Sequence, residues 1–193
     1  MDVSTALDEV AAAARACTHC TDLPLGPRPV LRVSATARLL IVGQAPGTRV
    51  HATGVPWNDP SGDRLRDWLG LTRAVFYDAA RVAIVPMGLC YPGRLPRGGD
   101  APPRAVCAPL WQPRLLPLLT GVRLTLLVGS YAQTAFLGPG SMTERVRAAQ
   151  AQLPRFLPLP HPSWRTIGWE ARNPWFAAAV LPLLRAQVAL ALG

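Results

Sequence analysis

Four cysteines, three histidines and one glycine-bracketed turn are the residues of this chain whose types and spacing could do chemistry. Cys17 and Cys20 form a C-x2-C pair, and Cys90 and Cys107 stand at the two ends of the proline-rich stretch YPGRLPRGGDAPPRAV. Disulfides are rare where thiols are kept reduced, so buried free thiols or an opportunistic disulfide compete with four thiolates on one metal centre. C-x2-C is the tightest spacing that lets two thiolates face one metal. A second pair closing a loop completes a four-sulfur site, for which zinc and an iron-sulfur cluster both remain open. Such a site would staple the N-terminus to the loop.

The turn is Gly43, Gln44, Ala45, Pro46 and Gly47, directly after the apolar run LLIV. Its backbone N–H groups could face an anion or a carbonyl, with Pro46 fixing the shape; a plain tight turn after a strand is the simpler alternative. Ten residues further on, TGVPWNDPSG sets Trp57 beside Asn58 and Asp59. An aromatic plate next to hydrogen-bonding side chains is how a nucleobase is held and read. The third group is LPHPSWR, where His161 follows an apolar run and precedes Ser163, Trp164 and Arg165. A lone histidine is more often structural, but one at the carboxyl end of a strand, between two prolines and near an arginine, is placed for function. His19, inside the C-x2-C pair, and His51 have weaker claims, and His19 is expected to face solvent.

Positioning these residues requires a scaffold, and the hydrophobic pattern supplies one. Apolar runs at ARLLIVG, RVAIVPM, VRLTLLVGS and FLPLPHP suit buried strands. Residues 5–16, SGDRLRDWLGL with Ser61 as its cap, APLWQPRLLPLL, YAQTAFLG and the C-terminal NPWFAAAVLPLLRAQVALAL suit helices. Strands separated by helices predict a single α/β domain over residues 1–193: a three-layer sandwich whose central, mostly parallel four-stranded sheet carries helices on both faces. In such sheets the ligand crevice lies beyond the carboxyl ends of the strands, where the loops after Val42, Val85 and Pro160 fall. The stretch between Tyr91 and Val106 has no room for an ordinary helix or strand, so it is either mobile or pinned.

Composition narrows the function classes. The chain of 193 residues is half apolar and 16% charged, which excludes a disordered chain, and its uncharged apolar runs fall short of a bilayer span. The start MDVSTALDEVAAAARAC lacks the basic residues and apolar core of a secretory signal, so a cytoplasmic monomer without a membrane partner is expected. The formal net charge is +9, and all 20 basic residues are arginine. That is either a coding bias or a phosphate-binding face suited to nucleic acid.

Taken together and in order, Cys17 and Cys20, GQAPG, TGVPW, SGDRL, CYPG, Cys107 and HPS resemble the uracil-DNA glycosylase superfamily, and in particular its iron-sulfur branch, family 4. That branch carries an N-terminal C-x2-C, a G-E-A-P-G motif followed by T-G-x-P-F, a third and fourth cysteine flanking a proline-rich loop, and a final H-P-[SA]. The resemblance covers nearly the whole chain. It implies a DNA repair enzyme that flips uracil or another deaminated base out of DNA and hydrolyses its N-glycosidic bond, with a structural [4Fe-4S] cluster on Cys17, Cys20, Cys90 and Cys107. By the same resemblance Gly43, Ala45 and Trp57 form the base pocket, Gln44 and His161 are catalytic, His161 donates to the uracil O2, and Ser163, Trp164 and Arg165 enter the minor groove. Two positions depart from the pattern. Gln44 replaces the motif's Glu, and no Asn lies between Cys90 and Cys107; Arg94 lies near that position and Asn58 is the candidate substitute for base reading. Glutamine orients water by hydrogen bonds but cannot serve as a general base. A non-catalytic iron-sulfur DNA-binding protein, and a small-molecule binder with a phosphate on its glycine turn, are the competing functions.

Overall fold

A computed structural model describes residues 2–96 and 98–193. Four strands, β1 (Leu39–Val42), β2 (Val82–Ile84), β3 (Leu124–Val128) and β4 (Phe156–Leu159), form one sheet in the order β2-β1-β3-β4. All three pairings are parallel, with Ile41 opposite Ile84 on one side and Leu126 on the other. The sheet is therefore wholly parallel, where the sequence pattern gave mostly parallel.

Each strand reads as a wholly or almost wholly apolar run because both faces of the sheet are covered. Alternate side chains go to opposite layers. Leu39, Ile41, Val82, Ile84, Leu126 and Leu157 pack with Leu65, Trp68, Phe176 and Leu184 on one face. Leu40, Val42, Ala83 and Leu127 pack with Leu7, Ala11, Trp111, Leu115 and Ala132 on the other. The first layer belongs to helices α3 (Pro60–Leu69) and α9 (Leu181–Leu192), and the second to α1 (Val3–Arg15), α5 (Cys107–Leu115) and α6 (Ser130–Leu137). Strand β4 tolerates Pro158, which pairs with Leu127, because it lies at the sheet edge and bonds to one neighbour alone.

The expected helices are present, with two corrections. The cap of α3 is Asp59 rather than Ser61: its side chain accepts from Gly62 N at 2.8 Å, and Pro60 takes the first helical position, where a missing N–H costs nothing. The C-terminal helix expected over NPWFAAAVLPLLRAQVALAL is divided into a π segment Phe176–Val180 and α9, and a separate helix α8 (Thr166–Arg172) precedes it. Short helices α2 (Thr48–Thr53), α4 (Arg73–Phe76) and α7 (Met142–Arg147) complete the chain. Among the described residues no single helix is long and apolar enough to cross a membrane.

The stretch between Tyr91 and Val106 is pinned. An antiparallel bridge joins Arg94 to Asp100, Ala101 N donates to Gly93 O at 2.8 Å, and Leu95 N donates to Gly99 O at 2.9 Å. These bonds form a small hairpin that folds back toward the carboxyl edge of the sheet; Arg97, within it, lies outside the described residues.

Candidate active site

At that edge the loops after β1, β2 and β4 and the Gly93–Ala101 hairpin enclose a cavity of about 690 Å³. Gly43, Gln44, Ala45, Trp57, Asp59, Arg94, Asp100, His161, Ser163, Trp164 and Arg165 all line it. Residues far apart in the chain thus meet where a parallel sheet places its ligand. Asn58 is not among the residues that line the cavity; its Oδ1 accepts from Arg73 Nη2 at 3.5 Å.

Trp57 is held by its backbone. It has φ 56°, a left-handed conformation that a bulky residue adopts only when its surroundings impose it. Its carbonyl accepts from Tyr77 Oη at 3.1 Å and from Arg66 Nη1 at 3.2 Å, and Arg66 is itself only 4% exposed and paired with Asp63. Two glycines make the room. A Cβ on Gly62 would stand 1.7 Å from the Trp57 oxygen, and one on Gly43 would stand 2.8 Å from the indole Cζ2. The edge of the indole therefore abuts the glycine turn at Gly43, and its ring centroid is 5.6 Å from that of His161 at an interplanar angle of 32°. One wall of the cavity is an aromatic plate and an imidazole side by side.

The histidine loop is equally fixed. The His161 carbonyl accepts from Ser163 N at 2.8 Å and from Thr166 Oγ1, and Ser163 O accepts from Arg64 Nη1 at 3.0 Å. Arg64 in turn pairs with Glu170 at 2.5 Å and stacks over Trp68. Burial pushes the His161 imidazole below its ordinary range, against the upward pull of Asp59, so the ring is neutral at neutral pH. A neutral imidazole offers one N–H donor and one acceptor to whatever fills the cavity. Beyond it Trp164 stands 75% exposed at the mouth, with Arg165 beside it.

Gln44 faces the cavity, but its amide is engaged: Nε2 donates to Ala101 O at 3.0 Å. A glutamine can make this bond across to the hairpin, whereas an ionised glutamate, an acceptor alone, cannot. Sequence reasoning missed Asp100, which the hairpin carries into the cavity.

A family model described as the uracil DNA glycosylase superfamily matches residues 32–185. The chain belongs to this superfamily. The matched span contains every residue of the main cavity named above, together with Cys90 and Cys107; Cys17 and Cys20 lie before it.

All four cysteines are free and line a second, smaller cavity, between the end of α1, the segment after β2 and the start of α5. His19 is exposed beside them. Leu89 N donates to Cys107 Sγ at 3.2 Å. Burial pushes the Cys90 thiol up to about 11, eased by a backbone N–H from Arg28 and reinforced by Cys107, Cys17 and Cys20. Burial also raises Cys20 and Cys107. Among the described residues no group of three or more His, Cys, Asp or Glu is placed to hold a metal ion.

Proposed function

We propose that this superfamily member is a monofunctional DNA glycosylase that hydrolyses the N-glycosidic bond of uracil, or of another deaminated base, after flipping it into the main cavity. The observation that carries this reading is the fixed pair formed by Trp57 and His161. An aromatic face stacks an extruded base irrespective of its identity, and a donor beside it addresses the base's edge. Extrusion costs a few kcal/mol and least at a mismatch, so damaged positions are favoured before bond cleavage begins.

Bond cleavage leaves positive charge on the sugar and negative charge on the departing base, so a donor at O2 acts only as that charge develops. His161 is suited to this role because it is neutral and locked: it need not lose a proton, and its loop need not reorganise. Trp164 and Arg165, exposed at the mouth, would occupy the gap left by the extruded nucleotide, and the net charge of +9 favours the phosphate backbone.

For the cysteine site we propose a [4Fe-4S] cluster on Cys17, Cys20, Cys90 and Cys107, with a single zinc ion as the alternative. The four thiols line one small cavity, where burial and neighbouring thiols raise Cys20, Cys90 and Cys107, a state that a cationic centre reverses, and an N–H already points at the Cys107 sulfur. Such a cluster would join the N-terminal helix to the loop carrying the hairpin.

The test is incubation of the protein with strands carrying uracil, hypoxanthine or xanthine, followed by alkaline cleavage at abasic sites. Cleavage at one or more of these bases is expected. Salt-dependent DNA binding with no abasic product would favour the non-catalytic reading, and absence of both would reject each of them.

A further inference from the structure

Building on the base-excision reading, we propose that Asp100 supplies the carboxylate that takes the proton of the attacking water. The first-motif position cannot do so, because Gln44 does not ionise and its amide nitrogen is bonded to Ala101 O. Two carboxylates instead approach the turn from other directions. A Cβ on Gly47 would stand 3.5 Å from Asp100 Oδ2 and 3.9 Å from Asp59 Oδ2, so both groups converge on one glycine at the cavity wall. Asp59 lies farther from the glycine, and its Oδ1 is committed to capping α3 through Gly62 N. Asp100 has no hydrogen-bond donor among the described side chains or backbone groups, which leaves its oxygens for water.

The backbone around Asp100 is built to hold it there. The bridge to Arg94 and the bonds Ala101 N to Gly93 O and Gln44 Nε2 to Ala101 O fix the returning arm of the hairpin on both sides of the residue. At the tip, Gly98 and Gly99 let the Arg165 guanidinium lie close: a Cβ on Gly99 would stand 2.5 Å from Arg165 Nη1. The hairpin and the histidine loop therefore meet at the cavity, which Asp100 and His161 both line.

Among the described residues, the charged groups facing Asp100 are Arg94 on its own hairpin, Asp59 before α3 and Arg165 after β4. Burial raises its carboxyl above the ordinary carboxylate range, Asp59 adds to the rise, and the two arginines oppose it. A raised carboxyl is the better proton acceptor near neutral pH. In the reaction the water oxygen bonds to the sugar C1′ as the C1′–N bond breaks and its electron pair leaves with the base. The water proton passes to Asp100 and from there to the departing base or solvent, leaving a hydroxyl on C1′. Because the ionised form is the active one, the rate falls as pH falls through the raised pKa of Asp100.

Single-turnover excision from a uracil-containing strand, measured across pH for the wild type, Asp100→Asn and Asp100→Ala, tests the assignment. Asp100→Asn is expected to lose about 10²- to 10³-fold in rate, with DNA affinity and melting temperature kept, and to lose the acid limb of the profile. Added formate is expected to restore part of the rate in Asp100→Ala. An Asp100→Asn rate within about threefold of the wild type, an unchanged acid limb, or a loss accounted for by weaker DNA binding would overturn the proposal while leaving base excision standing. A wild type that releases no base would overturn the base-excision reading and this proposal together.

Discussion

Replacing Gln44 by glutamate restores the residue that the family 4 motif carries, yet the bond to Ala101 predicts that the change slows the enzyme. Gln44 Nε2 donates to Ala101 O at 3.0 Å, and glutamate would set a carboxylate oxygen against that carbonyl. Losing the bond costs about 0.5–1.5 kcal/mol, and leaving a partly buried acceptor opposed by another acceptor costs about 1 kcal/mol or more. A total of about 2 kcal/mol applied to the placement of the hairpin corresponds to about a 30-fold fall in single-turnover rate. The new charge would also join Asp59 and Asp100 and push the Asp100 carboxyl further up, moving the acid limb of the rate to higher pH. Gln44→Ala, which loses the bond without adding charge, should show a smaller loss and an unmoved limb. A rate gain in Gln44→Glu would refute the reasoning, because it would mean that the amide is not needed to hold the hairpin and that a carboxylate is needed at this position.

Gly43→Ala should lower excision strongly while costing about 1–3 kcal/mol of stability, since the new Cβ must displace the Trp57 indole now 2.8 Å from it; rate and thermal melt read the two effects separately. Trp164→Ala should leave the melting temperature unchanged, as the side chain is 75% exposed, but weaken binding to abasic or uracil-containing duplex by about 10- to 100-fold through lost base stacking, measured by fluorescence anisotropy. Protein purified without oxygen should be brown and contain iron and sulfide, and Cys90→Ser or Cys107→Ser should lose that colour and several degrees of melting temperature; a colourless protein loaded with zinc would reject the cluster.

The sheet was legible because strands buried on both faces leave runs that are wholly or almost wholly apolar, such as LLIV and LTLLV, which no surface helix would show. Gly43, Trp57 and His161 were legible as well, since each sits just beyond such a run or in the loop that follows it. The direction of Asn58 was not legible, because adjacency in sequence does not fix it: the backbone at Trp57 is left-handed, and Asn58 Oδ1 accepts from Arg73. The Asp59 cap had a signal in the Asp-Pro pair, which Ser61 obscured. Asp100 had none. Its place depends on a hairpin inside a proline- and glycine-rich stretch, where neither period of side-chain alternation is present, and on one bond from Gln44, 57 residues away in the chain. The helices α2 and α4, of 6 and 4 residues, are too short for periodicity to register.

The most direct measurement is release of free base from a uracil-containing strand under single-turnover conditions by the wild type and His161→Ala side by side. If the chain is a glycosylase using His161 as its donor to the leaving base, the wild type produces free uracil and an abasic site, and the variant is about 10²- to 10³-fold slower at unchanged DNA affinity. No free base from the wild type, or equal rates from the two proteins, would contradict it.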